Sequence, residues 1–268
     1  ITFRPFYNRR FYMLEYIDSH AHYDDEAFDA DRDELLNRLH TNGVRNIVNI
    51  GCNPERSQYS VDLAERFPFV YAAVGVHPDD AAYTPDSYLS KLEYMTANPK
   101  VVAVGEIGLD YHTEGYDRDL QIRFFNEQLD LAERAGLPVV IHSRDATEDT
   151  MNILRSRGKV SGVMHCFSGS AETAKQVLAL GMNISFTGVL TFKNARKALE
   201  ALEVIPLDRL MLETDCPYMA PEPNRGKRCD SGMIVHVIDK IAEIKNTAPE
   251  IVAKTTMKNT LKLFNRIK

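Results

Sequence analysis

Eight short runs of apolar and β-branched residues recur along the chain at wide spacing: 16–19, 44–50, 70–76, 101–107, 137–142, 160–166, 182–187 and 209–214. Most are apolar on both faces, the pattern of parallel strands covered on both sides. The segments between them carry helical spacing. Leu35, Leu36 and Leu39 mark 31–41; Phe124, Phe125, Leu129 and Leu131 mark 118–135; Leu199 and Leu202 mark 194–203. Gly43, Gly136 and Gly181 follow helical runs, where a left-handed cap favours glycine. Ser168-Gly169-Ser170 ahead of Ala171-Glu172 reads as a helix start. The tail predicts two more helices, over 233–245 and 249–266, with Pro249 near the start of the last.

Strand-then-helix units repeated eight times over about 200 residues predict an α/β fold, a (β/α)8 TIM barrel. An open doubly wound sheet would carry a glycine-rich phosphate loop after its first strand, and this chain has none. No linker or low-complexity stretch divides the sequence, so 14–268 is expected to be a single TIM-barrel domain. Residues 1–13 differ in character, with Arg4, Arg9 and Arg10, no acids and five aromatics. They lack the apolar stretch of a secretory signal, and an extension outside the fold is expected, with Met13 as a candidate natural start. A short organelle-targeting remnant is the alternative.

Charge narrows the choice of substrates. Against 38 acids the chain has 32 lysines and arginines, a net charge of −6, so no global basic field recruits nucleic acid. A polyanion would have to be held by local cations or by bound metal. No apolar run approaches the ~20 residues of a membrane helix. Cys52, Cys166, Cys216 and Cys229 form no CxxC pair, which fits a reducing compartment and predicts a cytoplasmic protein without a disulfide scaffold.

The candidate chemistry lies at the ends of the strand-like runs, the active face of such a barrel. In His20-Ala21-His22 the imidazoles leave one face of a strand together and can grip one cation. His77, His142 and His165 also fall at strand ends, whereas His40, His112 and His236 do not. Alternation groups Glu106 with Val102 and Val104, His142 with Val140, His165 with Val163, and Asp215 with Met211 and Glu213, all toward the barrel axis. Imidazole and carboxylate together suit Zn²⁺, Mn²⁺ or Fe²⁺, and Mg²⁺ where it is abundant. Six ligands exceed the needs of one tetrahedral ion, while two ions sharing a carboxylate would use them all. The competing reading makes Glu106 and Asp215 ion-pair partners of Arg144 or Arg123. Glu213 suits an acceptor that fixes an imidazole tautomer, and Cys216 suits packing rather than nucleophilic attack. Arg225-Gly226-Lys227-Arg228 forms a compact cationic loop past the last strand, and Arg144 follows His142; both are candidate phosphate contacts.

These segments resemble the TatD family of metal-dependent deoxyribonucleases, within the amidohydrolase superfamily. The resemblance runs through Asp18-Ser19-His20-Ala21-His22, Gly75-Val76-His77-Pro78, Gly105-Glu106-Ile107-Gly108-Leu109-Asp110-Tyr111, Pro138-Val139-Val140-Ile141-His142-Ser143-Arg144, His165-Cys166-Phe167-Ser168-Gly169, Glu213-Thr214-Asp215-Cys216-Pro217 and Arg225-Gly226-Lys227-Arg228. It implies one metal held by His20, His22, Glu106 and Asp215, and a second held by Glu106, His142 and His165. It places His77 beside them, facing substrate. The implied activity is divalent-metal-dependent phosphodiester hydrolysis, 3′–5′ on single-stranded DNA and also on RNA, by a monomer or weak oligomer using Mg²⁺, Mn²⁺ or Zn²⁺. Asp215, Glu106 and His77 are the expected catalytic groups, and Arg225, Lys227, Arg228 and Arg144 the expected substrate contacts. Glu106 at the fourth strand argues against the superfamily members that bridge their metals with a carboxylated lysine. Two departures stand out: Cys229-Asp230-Ser231 replaces the family's Asn-Glu-Pro, and Tyr23 replaces a common Leu. A hydrolase of esters or amides, such as aminoacyl-tRNA, is the alternative enzyme, and a non-catalytic metal-binding barrel the alternative class.

Overall fold

The computed structural model describes residues 14–268, and the extension at 1–13 lies outside them. Strands and helices alternate as β1 (Tyr16–Ala21), α1 (Arg32–Thr41), β2 (Val44–Ile50), α2 (Pro54–Arg66), β3 (Val70–Val74), α3 (Tyr88–Thr96), β4 (Val101–Asp110), α4 (Arg118–Ala135), β5 (Val139–Arg144), α5 (Thr147–Ser156), β6 (Gly162–Met164), α6 (Ala171–Ala179), β7 (Asn183–Phe186), α7 (Arg196–Val204), β8 (Leu210–Leu212), α8 (Ile234–Ile244) and α9 (Pro249–Leu263). Consecutive strands pair in parallel from β1 to β8. The sheet closes at its C-terminal end, where Ala21 bridges Cys216, His22 N donates to Cys216 O (2.8 Å) and Asp215 N donates to His20 O (2.9 Å). The expected (β/α)8 barrel is therefore present. Among the described residues no helix is long and apolar enough to cross a membrane.

Local signals place the helices. Asn53, Asp117 and Ser170 each accept a backbone N–H from the first turn of α2, α4 and α6. Gly136 closes α4 at φ 63°, the left-handed conformation glycine adopts without penalty.

The apolar residues sort into two layers. The larger lies between the sheet and the surrounding helices. The smaller fills the barrel interior with Val48, Ile50, Tyr71, Ala73, Val102, Val140, Val163 and Met211. Phe264 and Ile267, beyond α9, join this inner set, so the C-terminal tail plugs the barrel from below.

The expected alternation fails midway along β4. Val102 is interior, but Val104 packs outward with the helices. Val101 and Ala103 pair with adjacent Ala72 and Ala73, and Val104 and Ile107 pair with Val139 and Ile141. Each shift inserts one extra residue, as a β-bulge does, and turns the strand over. Glu106 thus reaches the interior only because two reversals cancel. The strand also runs three residues further than the sequence pattern suggests, to Asp110, with Ile107 and Leu109 buried on the outer face.

The plug predicts a cost confined to stability. Phe264→Ala should destabilise the fold by about 3–5 kcal/mol through lost burial and the cavity left behind. Urea unfolding reads this as a lower midpoint at unchanged slope. A loss under ~1 kcal/mol would show that the tail does not fill the barrel.

Candidate metal centre

The mouth of the barrel gathers six side chains around Glu106. Its Oε2 lies 3.3 Å from His20 Nε2 and 4.0 Å from His22 Nε2. Its Oε1 lies 2.6 Å from His165 Nε2 and 2.8 Å from His142 Nδ1. Asp215 Oδ1 completes the first half, 3.2 Å from His22 Nε2 and 3.5 Å from His20 Nε2. One carboxylate therefore faces two ligand sets with separate oxygens. His77 Nε2 stands 3.6 Å from Glu106 Oε1. The competing ion pairs do not form: Arg123 pairs with Asp86 and Glu127, and Arg144 makes no ion pair among the described residues.

The donor set fits cations. His20 Nε2 and His22 Nε2 face each other at 3.1 Å, and the His20 and His165 rings stack with centroids 4.0 Å apart. Imidazole nitrogens crowded this closely against two carboxylates match sites for Zn²⁺ or Mn²⁺. Trios with ligand atoms within 4.8 Å of one another include His20, Glu106 and His165, and also His20, His22 and Asp215.

Partners behind the ligands set their tautomers. His22 Nδ1 donates to Ile50 O (3.1 Å), which leaves Nε2 free to face Asp215. Asp110 Oδ2 lies 2.8 Å from His142 Nε2 and turns Nδ1 toward Glu106. Asp110 is itself held by the N–H of His112 and by Gln121. Glu213 is fully buried, accepting from Cys166 N (2.5 Å) and Ser185 Oγ (2.7 Å), with Oε1 3.7 Å from His165 Nδ1.

Burial and charge oppose each other here. Burial disfavours a charged Glu106, but His165, His20 and His77 outweigh it and hold the carboxyl well below its usual range. Burial acts on Asp215 in the same sense, yet His22 and His20 lower it to about 2. Burial drives His77 down to about 3 despite Glu106, so its imidazole is neutral. Its Nδ1 accepts from Asp79 N (3.2 Å), which puts the ring proton on Nε2, toward the cluster.

A buried network ties β1 to β8 beneath this cluster. Asp18 accepts from Thr214 Oγ1 (2.6 Å), Thr214 N (3.1 Å), Ser231 Oγ (2.6 Å) and His20 N (3.3 Å). Burial raises its carboxyl to about 7 even with these donors. Tyr23 and Ser231, two departures from the family pattern, meet here. Tyr23 OH lies 2.8 Å from Ser231 Oγ and accepts from Ser231 N at 2.9 Å, a donor that proline would lack.

The cationic loop is divided in its contacts. Arg228 spans Asp31 with two 2.7 Å bonds and also donates to Ala27 O, so its charge is already committed. Arg225 lies over the Phe192 ring at 3.9 Å, and Lys227 Nζ reaches Asn224 Oδ1 at 3.4 Å. Neither makes an ion pair among the described residues. Three further groups at the mouth are not singled out by the strand-end pattern: Asp110, Cys52 and His112. Cys52 Sγ lies 3.8 Å from His22 Nδ1. His112 sits at the mouth, its Nδ1 2.8 Å from Asp145 Oδ2, because β4 is longer than expected. The signal that could have found Asp110 is its spacing, two and four residues beyond Gly108 and Glu106 on one strand face.

Imidazoles and carboxylates gathered at this end of a parallel barrel put the protein among the metal-dependent hydrolases built on that fold. Comparison with known proteins narrows the class. The sequence profile of TatD related DNases matches residues 17–265. An uncharacterized metal-dependent hydrolase, YabD of Bacillus subtilis, is 41% identical over 249 residues, covering 92% of this chain and 98% of the relative. The 3'-5' ssDNA/RNA exonuclease TatD of Cronobacter sakazakii is 35% identical over 245 residues, covering 88% and 93%. The crystal structure of YJJV, a TatD homologue from Escherichia coli K12, superposes with a TM-score of 0.90 at 32% identity, covering 95% and 99%. The chain belongs to the TatD related DNase family.

Metal uptake should be visible without any substrate. Mn²⁺ or Zn²⁺ at 100 times its dissociation constant should stabilise the metal-free protein by about 2.7 kcal/mol, raising the melting temperature by about 5–10 °C. Glu106→Ala should abolish most of that rise, and Asp110→Asn should weaken uptake by about 10–100-fold. Equal shifts in wild type and Glu106→Ala would remove Glu106 from the ligand set.

Proposed function

We propose that the protein is a metal-dependent phosphodiesterase that shortens single-stranded DNA, and RNA, from the 3′ end. The observation that carries this reading is Glu106, whose two oxygens address His20 and His22 on one side and His142 and His165 on the other. That arrangement suits a pair of divalent ions sharing one carboxylate. His20, His22, Glu106 and Asp215 would hold one, and Glu106, His142 and His165 the other. When bound, such ions supply a nucleophilic water near neutral pH and offset charge on the phosphoryl oxygens. They also answer the substrate problem of a chain with net charge −6.

The side chains divide the remaining work. Asp215 is held ionised beside His20 and His22, placed to orient the attacking water and accept its proton. Neutral His77 presents Nε2–H at the cluster, where it can donate to the departing oxygen. Arg225, Lys227 and Arg144, which make no ion pair among the described residues, would meet flanking phosphates. Arg228 contributes by fixing the loop through Asp31. The name of the Cronobacter relative supports single-stranded DNA and RNA as substrates.

Incubation with 5′-labelled single-stranded DNA and Mg²⁺, Mn²⁺ or Zn²⁺ should give a ladder of strands shortened from the 3′ end. Absence of any shortening, with turnover of nucleoside esters instead, would move the protein to the ester-hydrolase reading. Lys227→Ala should raise KM and reduce the slope of log KM against log salt by about one. An unchanged slope would take Lys227 off the phosphate path.

A further inference from the structure

Exposed tyrosines stand on two opposite sides of the mouth, and the hydrolytic chemistry makes no use of them. β4 and β8 are four strands apart in a closed sheet of eight, so they face each other across the cluster. The segment after β8 carries Tyr218, three residues past Asp215. The segment after β4 carries Tyr111, which directly follows the histidine-orienting Asp110, and then Tyr116.

Both sides hold their rings in place. Tyr111 OH donates to Asp149 Oδ2 (2.7 Å), and its N–H donates to Arg144 O (2.9 Å). Gly115, at φ 81°, turns the loop back so that Tyr116 N reaches Thr113 O (3.3 Å). Tyr116 stacks on Tyr111 with centroids 4.6 Å apart and planes 12° from parallel, yet remains 41% exposed. No second ring lies against Tyr116 among the described residues. On the other side Tyr218 OH donates to Asp25 Oδ2 (3.0 Å) while the residue is 55% exposed. A ring oriented in advance and open to solvent is a surface on which a nucleobase stacks.

Charge separates the two sides. Arg225 and Lys227 follow Tyr218 within the same segment, where phosphates can lie along them. The β4 side exposes Glu114, Asp117 and Asp119, and its Arg118 is bound to Asp149 by two hydrogen bonds (2.8 and 2.9 Å). A phosphate finds no free cation in that loop. Stacking on an uncharged ring needs none, so a base can be held there where a phosphate cannot.

We propose that Tyr116, backed by Tyr111, and Tyr218 are stacking platforms for two bases of a single strand that crosses the mouth with its reacting phosphate between them. The assignment rests on the phosphodiesterase reading and adds to it that bases, as well as phosphates, hold the strand.

The test compares KM for two single strands of equal length, one with normal bases and one with the same backbone but abasic throughout. Wild-type protein should show a KM about tenfold or more higher on the abasic strand. Tyr116→Ala and Tyr218→Ala should each raise KM on the normal strand by about tenfold and so shrink that preference. Tyr116→Phe and Tyr218→Phe, which keep the ring, should recover it. Tyr94→Ala removes a tyrosine that is 83% exposed on α3, on the outer wall, and should keep the preference. Equal KM for the two strands in wild type, an unchanged preference in either mouth alanine variant, or an equal fall in Tyr94→Ala would overturn the platforms while leaving the phosphodiesterase reading in place. Failure to hydrolyse either strand would overturn that reading, and the platforms with it.

Discussion

The structure turns on a single buried carboxylate. Glu106 sits 4% exposed among five imidazoles, a setting in which an ionised acid is costly unless it is surrounded by compensating groups. Its neighbours supply that compensation, and they come from β1 and β5 and from the segments that follow β1, β3 and β6. No local segment can make such a site. The acid is compensated by groups from separate strands, so the site exists only where those strand ends meet.

Closure is weakest where it matters most. β1 and β8 meet through one isolated bridge and a few backbone bonds near His20, His22 and Asp215. Asp18 reinforces the seam from below by accepting from His20, from Thr214 and from Ser231. Fully buried acceptors with every oxygen engaged specify one arrangement and penalise others. The seam therefore holds His20 and His22 on one side and Asp215 on the other at a fixed spacing, while Asp110 and Ile50 settle which ring nitrogens face inward.

Charge is distributed unevenly to match. The molecule is acidic overall, and many of its arginines are committed to ion pairs, Arg228 with Asp31 among them. Arg225, Lys227 and Arg144 are left near the mouth without acidic partners among the described residues. A polyanion would be drawn to that mouth by local rather than net charge.

The sequence alone determined the architecture and nearly all of the cluster. Two-sided apolar runs and glycine-capped helices specify a parallel barrel. In that fold the strand ends must share one face, so the chain order of His20, His22, His142, His165 and Asp215 is enough to gather them. Tertiary structure decided what periodicity cannot carry. Two bulges in β4 turned Val104 outward and returned Glu106 inward, because pairing with β3 and β5 outranks simple alternation. The extension of that strand to Asp110 brought a histidine-orienting acid and His112 to the mouth. Arg228 found Asp31, 197 positions away, and Tyr23 found Ser231, 208 positions away, so that separate oddities of sequence became one contact. Partners so distant along the chain leave no local pattern, since only the folded path brings their hydrogen-bonding atoms within reach.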